Sequence, residues 1–309
     1  MEIFTEPLHK KSFFIVILLL VICSQAFAGQ IAITIDDAPQ PDSAFYSGNE
    51  RTEIIAEKLT RAKIQQAMFF VTGKFFSKDN GMERLKIYVN NGHMIANHSF
   101  NHFDLDALKN KEYADDILKN QELIKNLPAF SRFFRYPMLH EGDTVQKRDY
   151  IRKFLKEQKL RNGYVTVDNW DWYINGLLNK ATLKKKKINI NNLKKLYIDH
   201  VWSAIMFYDK VALEYLGRSP KHTLLLHDND TTALFIDDLA DYIRKKGWEI
   251  ITPVEAYRDP IANYTPETLI NSQGRVMAIA IDKGYKGPYR SGEDAESINL
   301  MFERYEVFE

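Results

Sequence analysis

Short β-branched or aromatic runs alternate with helical patterns from residue 31 to residue 251, and this alternation restricts the fold more than any other feature of the chain. The strand-like runs are 31–35, 67–71, 93–96, 133–136, 164–167, 223–226 and 249–251. Helical spacing fills 51–63, 82–90, 111–127, 143–158, 193–216 and 232–246. Asn91-Gly92 and Gly247 stand where helices are expected to stop. Alternation of this kind predicts an α/β fold with a parallel sheet, open or closed. Seven strand candidates suit a barrel of βα units over residues 29–257. After Tyr257 the pattern changes. Residues 258–309 hold Pro260, Pro266 and Pro288, an apolar patch at 276–281 and an acidic helix-like end. They read as a C-terminal extension packed on the barrel. The lysine run 184–187 reads as a solvated loop or helix start.

The first 28 residues read as an address. Lys10 and Lys11 precede an apolar run over 13–23, shorter than the ~20 residues a spanning helix needs. Ala26-Phe27-Ala28 then offers a small-x-small cleavage pattern. The expectation is a secretory signal peptide over 1–28, with a retained anchor as the alternative. Cleavage after Ala28 removes Cys23, the single cysteine, so no disulfide framework is available. Nothing after the leader is apolar enough to span a membrane. The formal net charge of +1 argues against a broad nucleic-acid surface. Oligomeric state leaves no mark in the sequence.

Titratable residues fall at strand ends. Asp36-Asp37 follow the first strand, His98 and His102 the third, Arg135 the fourth, Asp168 and Asp171 the fifth, and His227-Asp228 the sixth. In barrels of βα units these ends form the reactive face. Two imidazoles four residues apart can grip one cation, and Asp37 can add a carboxylate from a neighbouring strand end. Two histidines, one carboxylate and an open position suit catalytic zinc, though iron or cobalt fits the same ligands. Of the two adjacent aspartates, one can bind metal and the other can accept a proton. Arg135 can hold that base ionised. Asp171 can reach His227, and a carboxylate partner suits an imidazole to donate a proton. Trp170 and Trp172 offer an apolar wall, a sugar-stacking platform or plain core packing. His9, His93, His140, His200 and His222 read as structural or surface residues.

These residues, in this order, resemble the polysaccharide deacetylases of the NodB-homology group, carbohydrate esterase family 4. Thr34-Ile35-Asp36-Asp37 is similar to the family's T-F-D-D motif, and His98-Ser99-Phe100-Asn101-His102 to its H-S-x-x-H. Arg135-Tyr136-Pro137 resembles R-x-P. Asp168-Asn169-Trp170-Asp171-Trp172 resembles the fourth motif and Leu225-Leu226-His227 the L-x-H motif. The resemblance covers about 30–257 and implies a distorted (β/α)7 barrel. It also implies that Asp37, His98 and His102 bind one divalent metal, zinc first, with cobalt, nickel or iron possible. Asp36 would be the general base steadied by Arg135, and His227 the general acid tuned by Asp171. The Tyr136 N–H would help hold the oxyanion. Leu225 would line the pocket for the acetyl methyl, and Trp172 would lie beside the substrate. The sequence departs from the family after Pro137, where Met138-Leu139-His140-Glu141-Gly142 stands. It departs again in a long 175–220 connection and in the 258–309 extension.

The implied function is a secreted, metal-dependent hydrolase that removes N-acetyl groups from a glycan and releases acetate. Peptidoglycan, a chitin-like chain or an exported polysaccharide are the substrate classes, in the periplasm or at the bacterial cell envelope. The alternatives are hydrolysis of a cyclic amide, O-acetyl ester cleavage, and a barrel that binds glycan without chemistry.

Overall fold

The computed structural model describes residues 29–269 and 271–308, together with Met1. The expected leader, with Cys23 and His9, lies outside the described residues apart from Met1. Seven strands form one sheet: β1 (Gly29–Ala38), β2 (Met68–Val71), β3 (Met94–Asn97), β4 (Phe130–Phe134), β5 (Arg161–Asn162), β6 (Lys221–His227) and β7 (Trp248–Ile251). The helices between them are α1 (Gly48–Arg61), α2 (Gly81–Asn90), α3 (Asn110–Ile124), α4 (Val145–Glu157), α5 (Asp171–Leu183), α6 (Ile190–Leu216) and α7 (Asp230–Lys245). After β7 come α8 (Pro253–Ala256), α9 (Arg275–Asp282) and α10 (Ala295–Arg304).

Every pairing within the sheet is parallel, in the order β5-β4-β3-β2-β1-β6. The central strand is β1. One edge pairs with β6 from Gln30 to Asp36. Its other edge is divided, β7 taking Gly29–Ala32 and β2 taking Thr34–Ala38. The sheet curls until Val167, beyond β5, bridges Leu224 of β6. The result is a curled α/β barrel of seven parallel strands.

Alternation along β1 sorts its residues between two environments. Ile31, Ile33 and Ile35 join the main core with Ile55 and Leu59 of α1 and Ile236 and Leu239 of α7. Ala32 and Thr34 take the opposite, interior side, and Asp36 follows them to the barrel's C-terminal mouth. A smaller core under α3 and α4 gathers Tyr113, Ile117, Phe134, Tyr136, Ile151 and Leu155.

Two differences from the sequence reading have local causes. The 164–167 run is not a ladder strand. Gly163 N–H donates to Phe134 of β4, yet Thr166 and Val167 N–H both donate to Thr223 of β6. The segment changes partner within a few residues, so only β5 and one bridge qualify. The 175–220 connection contains two helices, because α5 begins already at Asp171. Asn175, Gly176 and Asn179, poor helix formers, conceal it.

The long helix α6 buries residues from Leu193 to Ala212 and is covered by the C-terminal segment through Val276, Met277, Ile279, Ile298 and Phe302. Gly274 brings that segment against the barrel, since a Cβ there would stand 2.7 Å from the Val165 carbonyl oxygen. Leu224 is fully buried where β6 meets both β1 and the Val167 bridge. Leu224→Ala should lower unfolding free energy by about 2–5 kcal/mol, read from the urea midpoint at unchanged slope.

Candidate active site

A cavity of about 770 Å³ opens at the C-terminal mouth of the barrel. Asp36, Asp37, His98, His102, Leu225 and His227 line it together with Asp168, Trp170 and Trp172. Neighbouring strand residues normally face opposite sides, yet both aspartates reach this cavity. The β1–β2 register slips between Asp36 and Ala38, and Asp37 has φ +66°. This bulge turns a residue that would face outward towards the mouth. Ser99 at φ +64° and His102 at φ +58° do the same for the turn after β3. That turn is braced from within. Asn97 Oδ1 accepts from Ser99 N–H at 2.8 Å and from Asn120 Nδ2 at 2.9 Å, and Asn97 Nδ2 donates to the Ile117 carbonyl at 2.9 Å.

Asp37 Oδ1 lies 3.3 Å from His102 Nε2 and 3.8 Å from His98 Nε2. In a tetrahedral zinc site with ~2.1 Å bonds the ligand atoms stand roughly 3.4 Å apart, so the spacing fits a shared ion. His98 Nδ1 lies 2.9 Å from the Arg135 carbonyl, which requires its proton and leaves Nε2 with a free lone pair. Burial pushes His98 down to about 4 and also lowers His102, so both rings are neutral near pH 7. Burial opposes ionisation of Asp37, but the two imidazoles hold its carboxyl low, at about 2. One anionic oxygen and two neutral nitrogens are a donor set suited to a divalent cation.

Two paired groups flank these donors. Asp36 is buried and its Oδ1 accepts from Arg135 Nη1 at 2.5 Å. Burial pushes this carboxyl up, against the pull of Arg135, to about 6. On the other side His227 Nδ1 lies 2.6 Å from Asp171 Oδ1, while Asp171 Oδ2 accepts from the His227 N–H at 3.0 Å and from Asn229 Nδ2 at 3.0 Å. Burial alone would lower this imidazole, but the charge and hydrogen bond of Asp171 dominate and raise it to about 9.

Leu225 and Trp172 stand in the cavity wall. Tyr136 does not offer its side chain: the ring is buried between Tyr113 and Phe134 in the smaller core. The loop reaches the cavity instead through Met138, Leu139 and His140. Among the described residues no backbone carbonyl accepts the Tyr136 N–H, and Tyr136 is not one of the residues that line the cavity. His93, His200 and His222 are buried away from the cavity, whereas His140 lines it. Sequence reasoning missed Gln40, Asn175, Asn179, Ser272 and Arg290 in the wall. Gln40 follows the Asp-Asp pair closely enough to have been suspected. Arg290 and Ser272 arrive from the C-terminal segment, and no local signal points to them.

The chain is thus a parallel α/β barrel with a two-histidine, one-carboxylate cluster at its mouth. Residues 26–154 match the family model described as polysaccharide deacetylase. A peptidoglycan-N-acetylglucosamine deacetylase of Bacillus cereus is 29% identical over 153 residues, covering 48% of this chain and 50% of the relative. A chitin deacetylase of Arthroderma benhamiae is 26% identical over 241 residues, covering 76% and 54%. The chain thus spans about half the length of the curated relatives it matches. A solved carbohydrate esterase family 4 pseudoenzyme from Bacillus anthracis shares the fold, with TM-score 0.52, 19% identity and coverage of 74% of this chain and 64% of that one.

The loop that follows Asp37 is held by a buried charge cluster that sequence reading did not anticipate. Arg51 Nη1 lies 3.2 Å from Asp230 Oδ1 and Arg51 Nε 3.5 Å from Asp228 Oδ1, all three residues being buried. Arg51 also donates to the carbonyls of Gln40 and Pro41, and Arg84 to those of Pro39 and Gln40. Gln40 N–H closes the ring on Asp228 Oδ2 at 3.1 Å. Arg51→Met leaves two carboxylates buried without their cation. It should cost roughly 3–5 kcal/mol in a urea titration.

Proposed function

We propose that the chain is an exported, metal-dependent deacetylase that hydrolyses N-acetyl groups of a glycan to free amine and acetate. What carries the reading is the convergence on one cavity of three donors with ion-sharing spacing, an Arg-held carboxylate on one side and a carboxylate-held imidazole on the other. The names of the matched relatives point to peptidoglycan or a chitin-like chain as the substrate class. The leader read in residues 1–28 puts the barrel, taken as 29–257, outside the cytoplasm, with 258–309 as its extension. Among the described residues no helix is long and apolar enough to cross a membrane.

Asp37, His98 and His102 would hold the divalent ion, with zinc the first choice for this donor set. The bound ion would supply Lewis acidity towards the acyl oxygen and the attacking water. Asp36 takes the proton from that water. Its carboxyl, at about 6, is a stronger base than an exposed aspartate and is still ionised at neutral pH. Arg135 fixes the orientation of that carboxyl. The Tyr136 N–H would help hold the oxyanion, and Leu225 would pack against the acetyl methyl. His227, protonated through Asp171, gives its proton to the leaving nitrogen, which would otherwise depart as a poor leaving group. Trp172 provides an aromatic surface for a sugar ring.

Acetate release from chitooligosaccharides and from peptidoglycan is the direct test. Chelation should abolish it and zinc should restore it. Asp36→Asn should retain the metal while turnover falls about 10²–10⁴-fold. A barrel that only binds glycan would release no acetate under any of these conditions.

The acid role predicts a pH dependence with a definite sign. His227 must be protonated, so kcat/KM should fall as pH rises through about 9. Asp171→Asn removes the charge that raises the imidazole, leaving burial to dominate. The alkaline limb should then move to lower pH; an unmoved limb would show that His227 is not the titrating acid.

A further inference from the structure

We propose that Asp104, His140 and Ser272 form a second catalytic centre on the rim of the same cavity, a serine-nucleophile esterase acting on short-chain O-acyl esters of sugar hydroxyls. His140 stands between the other two. Its Nδ1 lies 2.8 Å from Asp104 Oδ1 and its Nε2 lies 2.7 Å from Ser272 Oγ. This is the order and spacing of a nucleophile, a base and an orienting carboxylate. The three come from the loop after β3, the loop after β4 and the C-terminal segment, so only the folded molecule assembles them. Asp104 is anchored by its own backbone: Oδ1 also accepts the Asp106 N–H at 2.9 Å, capping the short 3-10 turn Leu105–Ala107. Asp106 Oδ2 lies 3.5 Å from His140 Nδ1 and adds a second negative charge on the same side of the ring.

Ser272 adopts φ +60°, a conformation that serine takes at a cost, and it lines the cavity together with His140. Arg290, also in the wall, donates from Nη2 to the Ser272 carbonyl at 3.3 Å, which ties the guanidinium to the Ser272 backbone. Its Nε is buried and has no partner among the described residues. That group is an unpaired charged donor that would serve an oxyanion formed next to Ser272. The guanidinium also rests 5.2 Å from the Trp170 ring centroid, and Trp170 and Trp172 supply the wall a sugar needs.

The chemistry closes on protein groups alone. Ser272 Oγ attacks the ester carbonyl carbon while its proton passes to His140 Nε2. The carbon–alkoxide bond breaks, and the alkoxide leaves with that proton as the free sugar hydroxyl. Water then attacks the acyl-serine and gives a proton to His140. The carboxylic acid is released and the proton returns to Ser272 Oγ. None of these groups belongs to the Asp37, His98 and His102 cluster, so this activity stands or falls independently of the deacetylase reading.

The experiment uses the full chain treated with a chelator. A fluorophosphonate probe should modify Ser272, located by peptide mass spectrometry, and hydrolysis of p-nitrophenyl acetate should persist without metal. Ser272→Ala should reduce that hydrolysis about 10³-fold or more, and His140→Gln should prevent the adduct. An unmodified Ser272 under conditions that fully label a known serine esterase would overturn the proposal. So would ester hydrolysis that disappears with the metal or survives Ser272→Ala. The labelling is read on the unmutated protein, so it does not depend on a variant folding.

Discussion

The guanidinium of Arg135 inside the barrel is the interaction on which the rest of the site depends. It is buried, and a buried cation must be surrounded by acceptors. Nη1 serves Asp36, Nη2 serves the hydroxyls of Thr34 and Tyr257, and Nε serves the Gly163 carbonyl at 2.7 Å. The plane of the group lies over the Phe70 ring at 3.9 Å. These partners come from β1, from the segment that closes the barrel and from the residue after α8. The same residue's carbonyl accepts from His98 Nδ1. One side chain and its backbone therefore hold the carboxylate, the closure of the sheet and the tautomer of a metal-ligand candidate together.

Asp36 and Asp37 show how neighbouring carboxyls acquire different chemistry from their surroundings. Burial dominates at Asp36 and raises it to about 6 even with a guanidinium in contact. At Asp37 the same burial loses to two imidazoles, with the Thr72 hydroxyl assisting at 3.2 Å. The bulge makes this division possible. Without it Asp37 would face the helix layer, away from His98 and His102, and the pair would be one carboxyl at the mouth and one stranded charge. The strained φ at Asp37 is offset by the Arg51 and Arg84 clamp on the carbonyls of residues 39–41, which fixes the chain just beyond it.

Much of this was legible in the sequence because barrel chemistry is local. Strand runs end at titratable residues, so Asp36-Asp37, His98, Arg135, Asp171 and His227 could be gathered without coordinates. Six of the seven expected runs are strands for the same reason, each carrying its own β-branched or aromatic signature, while the seventh strand, β5, is the pair Arg161–Asn162 just before the expected run. What escaped was whatever depends on distant partners. Residues 164–167 have strand composition but lie across a seam, where no single neighbour runs alongside them. Arg51 looks like an ordinary helix residue until Asp228 and Asp230, far along the chain, arrive against it. Tyr136 sits in a recognisable motif, yet its ring points into the smaller core, where it packs on Tyr113 and Phe134. No pattern within a few residues carries that information.

The C-terminal segment links remote packing to the shape of the cavity. Helix α6 is apolar around more of its circumference than α7 alone can cover, and α9 and α10 supply the missing surface. Once α9 lies on α6, Gly274 and Arg275 are drawn against the barrel, where Arg275 N–H donates to the Val165 carbonyl at 2.6 Å. That contact leaves little freedom for the residues just before it, and Ser272 falls opposite His140. Arg290, in the connection from α9 to α10, falls over Trp170. Hydrophobic cover on the outside of the barrel thus decides which polar groups stand at its mouth. A substitution that loosened α9 from α6 would change the cavity wall without touching any residue that lines it.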